Sequence, residues 1–229
     1  MPVTACRISG SRLTLDWSSL ARHSSQKDLS LSMAETENWS KLKSTLGKNE
    51  SGFYAAPVDN AVSQLQETLL LAESIRNQNT FTDCLIVGSP SDSLAVKTLL
   101  AIFSSLKSSS IKFHFLSSAD PLFSEKTISS LHRNSTLVCM LMKTGQTCEM
   151  NALLVLLLEW MGKERVKTNF VFILNTTDSD LKVFASENGI PILNIHQTLS
   201  LSQTVFSPIA MFPAALAGFS VDSFFQGAN

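Results

Sequence analysis

From Val58 onward, apolar and polar positions alternate between two textures. Ala61, Leu65, Leu69, Ala72 and Ile75 recur at helical spacing, with Thr68 on the same stripe, which predicts an amphipathic helix over Val58–Asn77. Cys84-Leu85-Ile86-Val87-Gly88 is a short apolar run ending in glycine, as expected of a strand covered on both faces of a parallel sheet. The alternation then repeats. Helices are predicted over Ser91–Leu106, Leu122–Leu131, Gln146–Met161, Asp178–Asn188 and Pro208–Gly218. Strands are predicted over Ile111–Leu116, Thr136–Met142, Phe170–Leu174 and Ile192–Ile195. Strands and helices joined by short Gly-, Ser- and Asp-containing turns are βαβ units. Such crossovers are right-handed, so the predicted fold class is α/β: a parallel sheet flanked by helices on both faces. Leu153, Leu154, Leu157, Leu158 and Met161 lie at helical spacing and predict a core-facing stripe.

Residues 1–57 read differently. They are polar and mixed, with short alternating stretches near Val3–Ile8 and Leu13–Trp17 as the only strand candidates. The expected organisation is therefore an N-terminal extension over 1–57 and one α/β domain over 58–229. The chain has 229 residues, 44% hydrophobic and 16% charged, with a formal net charge of -1. That apolar content suits a folded core and excludes disorder over most of the chain. The near-neutral balance carries no basic surplus, so nucleic acid is not an expected partner. The longest apolar run, Ala152–Leu158, stops at Glu159 and is far short of the ~20 residues of a membrane-spanning helix. Arg7, Arg12 and Asp16 interrupt the start of the chain, which therefore lacks the look of a secretory signal. Cys6, Cys84, Cys139 and Cys148 have no metal-like spacing; Cys84 and Cys139 sit inside apolar runs as small hydrophobes. A reduced, cytoplasmic protein without disulfides is expected.

In parallel sheets ligands bind beyond the carboxyl ends of strands, beside helix N-termini. Two strand-to-helix turns therefore carry the chemistry. In Met142-Lys143-Thr144-Gly145-Gln146-Thr147-Cys148-Glu149, free N–H groups and the positive helix end favour phosphate. Lys143 adds charge, Thr144 and Thr147 add hydroxyl donors, and Gly145 permits close backbone approach. The competing reading is an ordinary helix start with a threonine cap and Glu149 complementing the dipole. The turn lacks the GxxxxGK(S/T) pattern of a P-loop. In Val87-Gly88-Ser89-Pro90-Ser91-Asp92-Ser93-Leu94, the residues Ser91, Asp92 and Ser93 suit sugar hydroxyls. The competing reading there is a proline turn with an Asp or Ser cap.

These stretches resemble the first of the two sugar-isomerase (SIS) modules of the glucose-6-phosphate isomerase family. The family's GIGGSxLG corresponds to Gly88–Leu94, and its SK(S/T)GxTxE corresponds to Met142–Glu149. Gly189-Ile190-Pro191 and the run Val205–Gly218, with Pro213-Ala214-Ala215-Leu216-Ala217-Gly218, resemble the family's C-terminal part of that module; Asp120-Pro121 also matches. The resemblance covers roughly 58–229 and implies a flavodoxin-like αβα sandwich. It implies that Lys143, Thr144, Gly145 and Thr147 bind the substrate phosphate, and that Gly88, Ser91 and Asp92 contact the sugar. Departures are local. Met142 stands in place of a serine, Pro90 and Ser91 replace two glycines, and Asp92 falls where the family has a sugar-contacting serine. Ser202 falls on an arginine that would stabilise enediolate-like charge.

The family's proton-moving carboxylate belongs to its second module, so no catalytic residue is expected in this chain. The implied ligand is a hexose 6-phosphate. The implied reaction is aldose–ketose isomerisation of glucose 6-phosphate and fructose 6-phosphate, once a second SIS module completes the site. The alternatives are a non-catalytic, decayed sugar-phosphate-binding or assembly module, and a piece of a longer isomerase with an exposed apolar face around Met211–Phe225. A second SIS module or a second copy of the chain is the expected macromolecular partner. No cofactor and no metal are expected, because His23, His114, His132 and His196 show no ligand spacing. His114, between Phe113 and Phe115, is expected to be a satisfied sheet histidine or solvent-facing. Phe224 and Phe225 are expected either to tuck back on the sheet or to face a missing module.

Overall fold

The computed structural model describes residues 5–7, 14–16, 61–104, 109–143, 147–175, 179–195 and 201–228. The chain falls into two units, Met1–Asn49 and Glu50–Asn229. In the first, β1 (Ala5–Arg7) and β2 (Thr14–Asp16) pair antiparallel, with Cys6 opposite Leu15. Both strands fall inside the two alternating stretches. His23 and most of the predicted extension lie outside the described residues.

The second unit runs α1 (Ala61–Asn77), β3 (Asp83–Gly88), α2 (Pro90–Ser104), β4 (Lys112–Leu116) and α3 (Pro121–Ser129). It continues through β5 (Thr136–Met142), α4 (Cys148–Met161), α5 (Lys163–Asn169), β6 (Phe170–Asn175), α6 (Ser179–Glu187) and β7 (Ile192–Ile195). A 3-10 turn (Leu201–Phe206), α7 (Pro208–Leu216) and α8 (Val221–Ala228) close it. The five strands form one sheet in the order β4-β3-β5-β6-β7, parallel throughout. This is the 2-1-3-4-5 order of a doubly wound, flavodoxin-like sheet.

Successive side chains of a strand point to opposite faces, and both faces are apolar here. Cys84, Ile86, Leu137, Cys139, Val171 and Ile173 pack with Ala72 and Ile75 of α1, Val96 and Leu99 of α2, and α7. On the other face, Leu85, Val87, Val138, Met140 and Phe172 pack with Ile128 of α3, Leu153 and Leu157 of α4, Val166 of α5 and Leu181 of α6. The leucine stripe is core, as expected: Leu153, Leu154, Leu157 and Met161 are buried and Leu158 is partly so.

Three elements have no sequence-level counterpart. Helix α5 follows Gly162, whose φ of 81° turns the chain sharply after α4. Only Val166 and Asn169 of α5 are buried, too few to write a periodic stripe. The 3-10 turn and α8 are the other two. The apolar face expected around Met211–Phe225 is buried over Met211–Leu216 and at Val221, and the side chain of Phe225 lies outside the described residues. Every residue of α7 is buried, and Phe224 packs on Phe206 with ring centroids 5.3 Å apart. Helix α7 is apolar all round because it lies against the sheet between α1 and α2, the setting of a wholly buried helix. The large exposed apolar side chains include Leu70 of α1 and Leu94 and Ile102 of α2 on this side of the sheet, and Leu122 and Phe123 of α3 and Val155 and Leu156 of α4 on the other.

Candidate functional site

From β3 the chain moves outward to β4, then returns to lay β5 on the other side of β3. That reversal makes the carboxyl ends of β3 and β5 the topological switch point, where open α/β sheets bind ligands. Both chemically interesting turns leave the sheet there, side by side, because Gly88 pairs with Leu141 in register. A Cβ at Gly88 would lie 2.9 Å from the Leu141 Cβ and 3.3 Å from its carbonyl oxygen. Strand packing alone therefore demands glycine at 88.

In the first turn, Ser89 rather than Asp92 caps helix α2. The Ser89 Oγ accepts from the Asp92 N–H at 3.1 Å, and the Ser89 carbonyl accepts from the Ser93 hydroxyl at 2.6 Å and from the Ser93 N–H at 3.0 Å. This satisfies donors that a helix start leaves open. Ser89 also donates to Asp92 Oδ2 at 2.9 Å, and its hydroxyl lies 2.8 Å from that of the exposed Ser91. Asp92 is 1% exposed, and its Oδ1 is buried without a hydrogen-bond partner among the described residues.

In the second turn, Lys143 follows β5 directly and is 9% exposed. Its carbonyl accepts from the Asn175 amide at 3.4 Å, which ties the turn to the end of β6. Thr147 is the N-cap of α4; its hydroxyl oxygen accepts from the Met150 N–H at 3.2 Å. Glu149 lies in the first turn of α4 and accepts from the Ala119 N–H at 3.2 Å. Thr144, Gly145 and Gln146 lie outside the described residues, as does His196.

The electrostatics connect the two turns. Burial raises the Asp92 carboxyl above the ordinary carboxylate range, while the Ser89 hydroxyl and the Lys143 charge pull it down. Burial lowers the Lys143 ammonium below ordinary lysine, while the Asp92 charge opposes that. Each group thus sits close enough to act on the other. Two titratable groups perturbed by burial and by each other's charge at neighbouring strand ends mark a candidate site. Ser89 and Asn175 were not legible as site residues. A serine before proline at a helix start is a capping signal that could have found Ser89; nothing in the sequence marks Asn175.

The other titratable candidates fall elsewhere. His114 is a satisfied sheet histidine, with Nε2 2.8 Å from Asp83 Oδ1 at the opposite, amino-terminal end of β3. His132 is exposed after α3. Cys84 and Cys139 are buried thiols pushed upward by desolvation. Among the described residues no group of three His, Cys, Asp or Glu side chains is placed to hold a metal ion. Nor is any helix there long and apolar enough to cross a membrane. An apolar cleft of about 550 Å³ lies between α3 and α4, bordered by Pro121, Ile128, Leu156 and Trp160. None of the candidate residues lines it.

No family model matches the chain. Over 167 residues it is 27% identical to the glucose-6-phosphate isomerase of Thermus thermophilus, covering 71% of this chain and 40% of that protein. Over 193 residues it is 24% identical to the glucose-6-phosphate isomerase of Campylobacter jejuni, covering 82% and 46%. The chain thus spans less than half the length of these curated relatives. Among solved structures it is similar to a hypothetical protein of Thermus thermophilus, with a TM-score of 0.69 and 25% identity over 84% of this chain and 46% of that one. A glucose-6-phosphate isomerase from Chlamydia trachomatis shares the fold, with a TM-score of 0.61 at 15% identity, over 72% and 32%. Over the matched stretches the chain is similar to glucose-6-phosphate isomerases, and it shares the fold of a solved one.

Proposed function

We propose that residues 58–229 form a sugar-phosphate-binding SIS module of the glucose-6-phosphate isomerase type, with the phosphate held at the switch point of the sheet. The observation that carries this reading is the buried Lys143 at the end of β5, beside the N-terminus of α4. The Asp92 charge offsets part of the cost of burying the Lys143 side chain, and a bound anion would offset more. The Thr147 cap fixes the start of α4, and a helix start is a favourable place for an anion. Thr144 and Gly145 join Lys143 and Thr147 in the phosphate loop on the strength of the sequence resemblance. Gly88, Ser91 and Asp92 border the sugar end.

The ligand in this reading is a hexose 6-phosphate. The reaction is interconversion of glucose 6-phosphate and fructose 6-phosphate, in which a base moves a proton between C1 and C2. That base comes from a second SIS module, supplied by another chain or domain. The setting is the cytoplasm, without nucleic acid or membrane partners. A non-catalytic sugar-phosphate module is the second reading, favoured by one observation: a buried carboxyl, Asp92, occupies the sugar end of the site.

The test is a thermal-shift titration with fructose 6-phosphate on the parent and on Lys143→Ala. A ligand at 100 times its Kd stabilises the fold by about 2.7 kcal/mol. For a domain of this size that is roughly 5–10 °C in Tm. The parent shifts and the variant does not. If neither shifts at millimolar ligand, the phosphate site is refuted for this chain. Mixing the ligand-competent chain with a second isomerase module then separates the two readings, because only a catalytic half gains isomerase activity.

A further inference from the structure

We infer that Asp92 serves the anion site as a neutral carboxylic acid, donating its own proton through Oδ1 to an oxygen of the bound sugar phosphate, so that binding takes up one proton. This deepens the phosphate-site reading above and rests on it.

Asp92 Oδ2 is already engaged, accepting the Ser89 hydroxyl at 2.9 Å. Oδ1 is buried and unpartnered among the described residues, on a residue only 1% exposed. An ionised carboxyl only accepts, whereas a protonated one carries an O–H donor. The oxygens of a phosphate monoester also only accept. An ionised Asp92 beside a dianion would therefore set acceptor against acceptor and one anion against another. Protonating Asp92 removes both conflicts and gives the orphaned Oδ1 a partner in the ligand.

The charged group that acts on Asp92 is Lys143, in the turn after β5; the Ser89 hydroxyl, from the turn after β3, is neutral. With Asp92 neutral, the Lys143 charge is left for the phosphate. Burial already raises the carboxyl toward its protonated form. The step balances simply: one proton from solvent goes to the Asp92 carboxylate, and no other bond is made or broken.

The experiment is isothermal titration calorimetry of the 229-residue chain with fructose 6-phosphate in buffers of different ionisation enthalpy. It is run above about pH 7, where a phosphate monoester with second pKa near 6 is already a dianion. Near one proton is taken up on binding. The affinity falls roughly tenfold per pH unit on the alkaline side of the Asp92 titration. Asp92→Asn, whose amide is a permanent donor, binds without proton uptake and keeps its affinity across that range. Asp92→Ser, with a hydroxyl donor, does the same and stands in should the asparagine variant fold poorly. Buffer-independent heats in the parent overturn the inference. So does uptake that persists in both variants, which places the proton on Lys143 instead. Absence of binding in the parent at every pH overturns the phosphate site and this inference together. Binding without uptake overturns only the role of Asp92.

Discussion

Gly88→Ala tests whether the switch point is held together as described. The added Cβ would stand 2.9 Å from the Leu141 Cβ, 3.3 Å from the Leu141 carbonyl oxygen and 3.4 Å from Cδ1. The first two atoms belong to the backbone and the root of the side chain, so no rotamer change clears them. Strands β3 and β5 must move apart where they are hydrogen-bonded and wholly buried. Forcing a methyl into such packing costs about 1–3 kcal/mol. Removing a strand glycine returns roughly 0.5–1 kcal/mol of backbone entropy. The net loss is about 0–2.5 kcal/mol, or up to roughly 10 °C in Tm for a domain of this size. Thermal and urea unfolding of the parent and variant read it directly, with the midpoint falling and the m-value unchanged. Leu141→Ala in the Gly88→Ala background does not rescue, because alanine keeps the offending Cβ. A Gly88→Ala chain more stable than the parent, as when only backbone entropy changes, refutes the close approach.

Two further perturbations probe other parts of the fold. The Asn169 amide donates to the carbonyls of Arg133 at 3.1 Å and Thr136 at 2.9 Å, pinning α5 to the start of β5; Asn169→Ala leaves both without that donor and costs about 1–3 kcal/mol, read by denaturant unfolding. Burial tends to raise the Asp83 carboxyl, but hydrogen bonds from Thr82 and His114 and the charges of His114 and Lys112 outweigh it and hold it below the ordinary carboxylate range. A depressed folded value means stability that is complete above the unfolded value, near pH 4, and lost as pH falls through the folded one. Asp83→Asn is therefore less stable than the parent near neutrality and loses less on acidification below about pH 4; equal acid slopes for the two chains, measured by unfolding across pH, refute the assignment.

Most of the sheet was legible because its strands are buried on both faces and write themselves as unbroken apolar runs. Thr136–Met142 and Ile192–Ile195 agree with the structure to the residue. Helix α5 was invisible for the opposite reason, since KERVKTN buries only two side chains and depends on the positive φ of Gly162 and on tertiary hydrogen bonds from Asn169. The burial of Met211–Leu216 was missed because an apolar segment looks the same whether it faces solvent or a sheet; only the placement of α1 and α2 decides it. At the site, the two turns could be picked out from helix-start chemistry, but their adjacency could not. That follows from strand order, which local sequence does not encode. The burial of Asp92 and its capture by Ser89 likewise depend on where α2 lands.

The retained and altered parts of the site argue together. A buried, imperfectly satisfied pair of charges is a poor way to stabilise a fold, because apolar side chains of similar volume commonly do as well or better. Everything around Asp92 and Lys143 shows that this chain has no difficulty supplying them: Val87, Leu141 and Met142 are all buried within a residue or two of the pair's turns. In the reading proposed above, Lys143 is kept there for an anion that arrives from outside, and the orphaned Oδ1 of Asp92 for a proton that travels with it. A sugar phosphate offers hydroxyl as well as phosphate oxygens to the Asp92 proton, and a bare phosphate offers only the latter. The decisive comparison is therefore fructose 6-phosphate against inorganic phosphate on the same chain. Equal affinity would reduce the site to a simple anion hole, whereas a preference for the sugar phosphate that shrinks in Asp92→Ala would locate the source of that preference at that residue.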